Sequence, residues 1–440
     1  RGTYEVEMSE LQVCIRPDPL QEKLPDLLRC ATSELEILKE VDLQESDLEV
    51  LPDVFGEKLP RLKTLRLSQN RLRLLPRSFG ELRKLQALQA EGNQLSHLPD
   101  FTSLSALTDL QLEENQLEAL PESFGQLSAL QRLSLDFNRL RSLPESFGSL
   151  RSLQKLRLVH NDLESLPQSF GCLISLKDLW LTGNHLRDLP ETFGGLSKLQ
   201  QLRLGKNRLD QLPESFGRLG NLKQLALEEN LLETLPCSFQ QLTSLQVLNL
   251  EGNRFAEFPE CLGIKSLEKL WIGHNALCKL PESVLHQLEA LKELSLKSNK
   301  LQTLPESLGS LSSLEILNLQ DNGLEGLPST LEELNKLRML WLEDNQLADF
   351  PFTCTQPSSL PALQLVKLHK AVQRDVALQL IENVQQPLLR RALLMEINAA
   401  KADFEVPEDA IPQETSEAMA SRSCCSCFAA IWAKVHSYLL

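Results

Sequence analysis

Across its 440 residues the chain has no run of 18 apolar residues, which excludes an ordinary membrane-spanning helix. Its ten cysteines (14, 30, 172, 237, 261, 278, 354, 424, 425 and 427) are scattered, without the close spacing of an extracellular disulfide framework. No asparagine stands in an N-x-S/T acceptor site, although a secreted chain of this size usually shows one or two. Both absences lead us to expect a reducing, cytoplasmic setting. No signal peptide is visible, and the start at Arg1 instead of Met is read as a trimmed or partial one. A P-loop, a kinase glycine loop, H-E-x-x-H and G-x-S-x-G are all missing, so no enzyme class is indicated and no cofactor is expected. The formal charge is -15, and an acidic chain is a poor general binder of nucleic acid, whose affinity rests on phosphate neutralisation.

What is present is repetition. Asparagine returns about every 23 residues, at positions 70, 93, 115, 138, 161, 184, 207, 230, 253, 275, 299, 322 and 345, inside the frame L-x-x-L-x-L-x-x-N-x-L-x-x-L-P. Counting back, the frame persists from Leu38 to Pro52 with Ser46 in the asparagine position, giving about 14 repeats. The L-x-L pair alternates with period two, the mark of a short strand with leucines inward and the intervening residues outward. The asparagine follows where the chain must turn, and its amide can both donate to and accept from backbone groups of adjacent coils. In Leu143-Pro144-Glu145-Ser146-Phe147-Gly148-Ser149-Leu150 the proline fits the first position of a short turn, and phenylalanine and leucine fall on one side of it. Phe55, Phe79, Phe101, Phe124, Phe147, Phe170, Phe193, Phe216 and Phe239 then form a core spine. From Leu262 onward leucine or valine replaces phenylalanine and two repeat lengths change by one residue in opposite directions, which predicts a local irregularity.

This frame is a leucine-rich repeat, and the fold class it implies is an α/β solenoid with a parallel β-sheet on its concave face. The 23-residue period and the L-P-x-x-F/L-x-x-L half, as in Leu120 to Leu127 and Leu189 to Leu196, resemble the intracellular Ras-group class, which includes Ras-suppressor and Scribble-type scaffolds. The resemblance covers residues 38–352. It implies a non-catalytic adaptor in intracellular signalling whose concave face holds a protein, such as a small GTPase. Two alternatives stay open at this point. One is a pathogen-secreted effector that binds a host protein through such repeats; the other is the substrate-recognition part of a ubiquitin ligase. No cysteine here has the C-x-D setting of those ligases.

Around the solenoid (38–352) the sequence predicts an N-terminal cap (1–37), a helical C-terminal cap (353–404), a flexible acidic linker (405–423) and a cysteine-rich amphipathic tail (424–440). The C-terminal cap is read as two amphipathic helices, 361–384 and 387–404, from the stripe Leu363, Val366, Leu368, Val372, Val376, Leu380 and Val384. In the tail, Cys424, Cys425 and Cys427 precede an aromatic segment, a setting for S-acylation and membrane tethering; an amphipathic partner helix is the competing reading, and no zinc motif is formed.

Three of the four tryptophans, Trp180, Trp271 and Trp341, share one outward strand slot, and tryptophan is the residue most enriched at binding hot spots. Charges on the same face fall in blocks: acids at Glu91, Asp109, Glu113, Glu114 and Asp136; bases at Arg132, Lys155, Arg157, Arg203 and Lys206 with His160; then acids again at Glu228, Glu229 and Glu251, and at Asp321, Glu343 and Asp344. Partner binding is therefore expected at Phe137, Arg157, His160, Trp180, Arg203, Lys206, Trp271 and Trp341, with the tryptophan side chains facing solvent.

Overall fold

The computed structural model of the chain describes residues 12–14, 35–347, 360, 362–363 and 365–367. Among the described residues, sixteen three-residue strands, paired in parallel, form one sheet in strict chain order from Gln12–Cys14 to Leu365–Lys367. Fourteen of them, from Glu40–Asp42 to Met339–Trp341, are the L-x-L segments of the frame. Through the middle of the chain the strands begin at Arg132, Lys155, Asp178, Gln201 and Gln224, in register without slippage. Identical register in successive coils is what keeps every inward leucine inward, because a slip of one residue would turn the whole set to solvent.

Most coils return across the other side through a short 3₁₀ turn, such as Glu145–Ser149; Phe55–Lys58 is instead a single α-helical turn, and the return at Phe101 has no helix. The proline was expected as the first turn residue; it stands one position earlier, extended at φ -66° and ψ 152°, and its carbonyl accepts from Phe147 N at 2.9 Å. A fixed φ and a missing N–H cost nothing there, since that donor has no partner to lose. The phenylalanines from Phe79 to Phe239 stack ring over ring at 6.0–6.3 Å, lying within 4° of parallel from Phe124 onward. The rings between Phe79 and Phe124 are tilted by 35° and 37°, where the strands at Ala87 and Asp109 are only 22 residues apart. Strands in a sheet lie about 4.8 Å apart, so each coil is wider on the phenylalanine side and the sheet lines the inner, concave face.

The asparagine ladder closes the coils. Asn161 donates to Leu135 O at 2.9 Å in the preceding coil and accepts from Leu140 N at 3.1 Å, and the pattern recurs from Asn70 to Asn345. The residue before each asparagine has a left-handed backbone, from Gln69 (φ 56°) to Asp344 (φ 58°), with Gly92, Gly183 and Gly252 in three coils. There its N–H reaches the next coil, as Phe137 N does to Val159 O at 2.8 Å.

In the region of the changed repeat lengths, Glu260–Leu262 is a turn of only three residues and the next return, Glu282–Leu285, is a four-residue α-helix. At the far end the structure differs from the sequence reading. Leu365–Lys367, expected inside a helix over 361–384, is a strand paired with Met339–Trp341, and Leu360, Leu363 and Val366 are buried. The spacing L360-x-x-L363-x-x-V366-x-L368 continues the repeat frame without its asparagine, which is the physical reason. Gln12–Cys14 pairs with Glu40–Asp42 and extends the sheet beyond the first coil, within the segment expected to cap it. The rest of the expected helical cap, the acidic linker and the cysteine tail lie outside the described residues.

Candidate functional site

Register decides which outward residues meet. Arg157, Trp180 and Arg203 are direct neighbours on three successive strands, and each guanidinium carbon lies 4.4 Å from the Trp180 ring centroid. The tryptophan is thereby held between two cations and is half-buried, not the fully solvent-facing side chain that the sequence suggests. A cation over an aromatic face contributes about 0.5–1 kcal/mol at an exposed site, and here both faces are used. The Trp180 Nε1 is buried without a hydrogen-bond partner.

Arg157 is itself held. Its Nε and Nη2 lie 2.6 and 2.5 Å from one oxygen of Asp136, and the other oxygen accepts from Val159 N at 2.8 Å. Asp136 is 1% exposed, so the anchor is buried while the guanidinium reaches the surface. Arg203 forms no ion pair among the described residues; burial pushes the nearby Glu228 carboxyl up, and the arginine offsets only part of that. Glu228 leans over Gly205, where a Cβ would overlap its carboxylate.

Phe137, His160 and Lys206 occupy the left-handed positions beside the strands. The Phe137 and His160 rings stack at 4.9 Å, and a Cβ on Gly183 would stand 2.5 Å from the His160 ring, so that glycine makes room for it. Phe137 is 52% exposed, one of few large apolar side chains left to solvent. Lys206 pairs with Glu229 at 3.6 Å. Six of the expected residues, Phe137, Arg157, His160, Trp180, Arg203 and Lys206, therefore form one continuous patch over four coils.

Trp271 and Trp341 do not join it. Trp271 lies four strands beyond Trp180, with its Nε1 donating to Glu293 at 2.7 Å and Lys269 5.8 Å from its ring centroid. Trp341 lies three strands further, between Asn318 and Lys367. The expected acidic and basic blocks mesh at their border, where Arg132 meets Asp109 at 2.6 Å, and Asp178, an acid inside the basic block, meets Lys155 at 3.7 Å. Lys155, Arg157 and Lys206 are each paired with an acid, Asp178, Asp136 and Glu229, so Arg203 is the one base of this cluster without an ion pair among the described residues, in an otherwise acidic face.

On either side of this cluster the carboxyls of Glu113, Glu228 and Glu251 are pushed up, in each case chiefly by burial. Sequence reasoning missed two parts of this site, the Asp136 anchor and the left-handed slot; glycine at positions 92, 183 and 252 signals the second. Cys424, Cys425 and Cys427 lie outside the described residues. Among the described residues no group of three His, Cys, Asp or Glu side chains could hold a metal, and no helix is long and apolar enough to cross a membrane. Burial pushes the Cys261 thiol up to about 11, far from a reactive thiolate at neutral pH.

Comparison with known proteins gives matches over most of this region. The family described as a leucine-rich repeat region matches residues 90–203 and 166–273, and the leucine rich repeat family matches 37–95 and 265–324. A leucine-rich repeat protein of Leptospira interrogans is 35% identical, with TM-score 0.66, over 72% of this chain and 81% of that one. YopM, a leucine-rich effector protein from Yersinia pestis, is 28% identical, with TM-score 0.54, over 80% of this chain and 95% of that one. The Drosophila Toll–Spätzle complex contributes a chain that shares the fold at 24% identity and TM-score 0.59, over 72% of this chain and 49% of that one. No curated protein matches.

Proposed function

The chain belongs to the leucine-rich repeat proteins, and from that premise we propose that it is a non-catalytic protein-interaction scaffold whose concave face, centred on Trp180, holds a protein partner. Its fold is one typically used for protein–protein contact, generally without catalysis. The observation that carries the proposal is the Arg157–Trp180–Arg203 stack, in which a large aromatic lies between two cations, one of them fixed in advance by a buried carboxylate. Pre-ordered side chains lose little entropy on binding, and tryptophan and arginine are the residues that dominate interfaces.

The 23-residue L-P-x-x-F/L-x-x-L coils support an intracellular, Ras-group type of adaptor in signalling, cytoplasmic in location, with a small GTPase or similar protein as partner. The net charge of -15 supports a protein partner over nucleic acid. Tethering to a membrane through acylated Cys424, Cys425 and Cys427 completes the reading; replacing all three with serine should empty the membrane fraction. A second reading, an effector acting on a host protein through the same face, draws support from the likeness to YopM over 95% of that chain.

The test of the scaffold is comparative capture. The intact chain and a Trp180→Ala, Trp271→Ala, Trp341→Ala variant are used as baits in the same extract, and bound proteins are identified by mass spectrometry. The scaffold reading expects partners that the variant loses; identical retention by both baits places binding elsewhere.

A further inference from the structure

The concave face carries a mirror pattern of charge along the solenoid. Trp180 is at its centre, Arg157 and Arg203 lie one coil to either side, Asp136 and Glu228 two coils away, and Glu113 and Glu251 three coils away. Glu113 and Glu251 hold the same slot, two residues before the ladder asparagine. In that slot the three central coils carry Val159, Thr182 and Gly205, so the acidic column breaks where the arginines stand.

The centre is suited to an anion. Each guanidinium carbon lies 4.4 Å from the Trp180 centroid, one from the strand on either side, so the two stand under about 9 Å apart with the ring between them, and a carboxylate seated over the outer rim of the ring can accept from both. Arg157 keeps Nη1 free of Asp136, and Arg203 makes no ion pair among the described residues. The flanks are suited to cations. Oε2 of Glu113 and Oε2 of Glu228 are buried without a partner, and Glu228 stands next to Glu251 in the same slot. His274 and Lys297 face Glu251, yet burial outweighs them and its carboxyl remains harder to ionise than usual. Glu228 and Glu251 on one flank, and Glu91 and Glu113 on the other, are same-slot neighbours on successive coils, so a cation supplied from outside meets two carboxylates on each side.

We propose that the partner segment seated on this face carries a carboxylate flanked on each side by a cationic side chain, the carboxylate over the outer rim of Trp180, shared by Arg157 and Arg203, and the cations at Glu113 and Glu251. The inference rests on the concave-face reading and adds the chemistry of the partner to it. Strands lie about 4.8 Å apart, so three coils span about 14 Å, or about four residues of an extended chain crossing the strands. The segment therefore has the form basic-x-x-x-acidic-x-x-x-basic. Charge matched in this way fixes register and excludes partners of the opposite pattern.

The experiment uses three nine-residue peptides immobilised at equal density: Lys-Gly-Ser-Gly-Glu-Gly-Ser-Gly-Lys, its charge inverse, and a permutation with the three charges adjacent. Binding of the purified full chain is read by surface plasmon resonance at low salt. The matched peptide should bind at least about fivefold more tightly than the other two, since close charge pairs of this kind contribute on the order of 1 kcal/mol or more. That preference should shrink severalfold in a Glu113→Gln, Glu251→Gln variant, whose unchanged or raised unfolding midpoint shows it folded, and vanish in Arg203→Ala. Equal binding of all three peptides, or preference for the inverse, overturns the inference. If capture in extract still depends on Trp180 while the peptides show no preference, the scaffold reading stands and this inference falls. If both fail, both fall.

Discussion

Arg157 and Asp136 form an ion pair in which the acid is buried, at 1% exposure, and the base reaches out to cover the face of Trp180. The carboxylate that orients the site is thus hidden in the solenoid wall, one coil behind the arginine it holds. Substitution of Asp136 should act on stability and on binding together.

Asp136→Asn removes the charge that holds Arg157 but keeps an acceptor for Val159 N. Because the guanidinium is 46% exposed, much of the lost pairing is recovered from water; the expected loss is about 1–2 kcal/mol, well short of a fully buried pair. Urea denaturation measures it. An unchanged midpoint would mean that Arg157 is not held through this acid.

Trp180 separates packing from polarity. Trp180→Ala strips both arginines of their shared surface and should lower stability by about 1–2 kcal/mol. Trp180→Phe keeps a ring and deletes an Nε1 that has no acceptor. Since a buried unmatched donor costs about 1–3 kcal/mol, the phenylalanine variant should match or exceed the wild-type midpoint. If alanine and phenylalanine destabilise equally, the stack is not an energetic unit.

The return side of each coil allows a steric test. At Gly148 a Cβ would overlap the carbonyl of Ser169 in the next coil, whereas at Gly220 nothing lies within 4 Å. Gly148→Ala should cost about 2 kcal/mol or more through forced separation of the coils, and Gly220→Ala should lie within about 0.5 kcal/mol of wild type. Thermal melts of the two variants decide it; equal effects would contradict the close coil-to-coil contact.

Glu113, Glu228 and Glu251 give the chain a pH dependence of known sign. Their folded-state carboxyls are raised above the ordinary 4.5 mainly by burial, so between that value and the raised one the folded chain binds more protons than the unfolded chain. In that window each contributes a stability term that falls as pH rises, and above the raised value the full cost of a buried charge is present. Replacing all three with glutamine should raise the neutral-pH midpoint and flatten the slope over the mildly acidic range. A variant less stable at neutral pH, with the slope kept, would show that these carboxylates are stabilised as anions.

Much of the scaffold is legible in the sequence because periodicity is a one-dimensional signal. The leucine frame, the Asn70 to Asn345 ladder and the phenylalanine spine all follow from spacing. The strand at Leu365–Lys367 was hidden by the same logic, since Ala371 replaces the marker asparagine and Val366 also fits a helical stripe. Pairings between coils are a second dimension that spacing does not carry. The shared slot of Trp180, Trp271 and Trp341 is visible in sequence, but only register shows that Trp180 alone of the three lies between two arginines. Likewise Asp136 reads as one acid in a block until Arg157 is placed over it.

The central claim is that a protein is held on the concave face around Trp180, and the most direct measurement places a photocrosslinking residue on each side of one coil. Lys206 is exposed on the concave side, and Lys198 is exposed at the end of the return segment that leads into the same strand. Each is replaced in turn, the protein is irradiated in extract, and adducts are resolved by mass spectrometry with and without Trp180→Ala. The account predicts a discrete protein adduct from position 206 that disappears with Trp180→Ala, and none from position 198. Adducts from 198 alone, or adducts from 206 that are indifferent to Trp180, would contradict it.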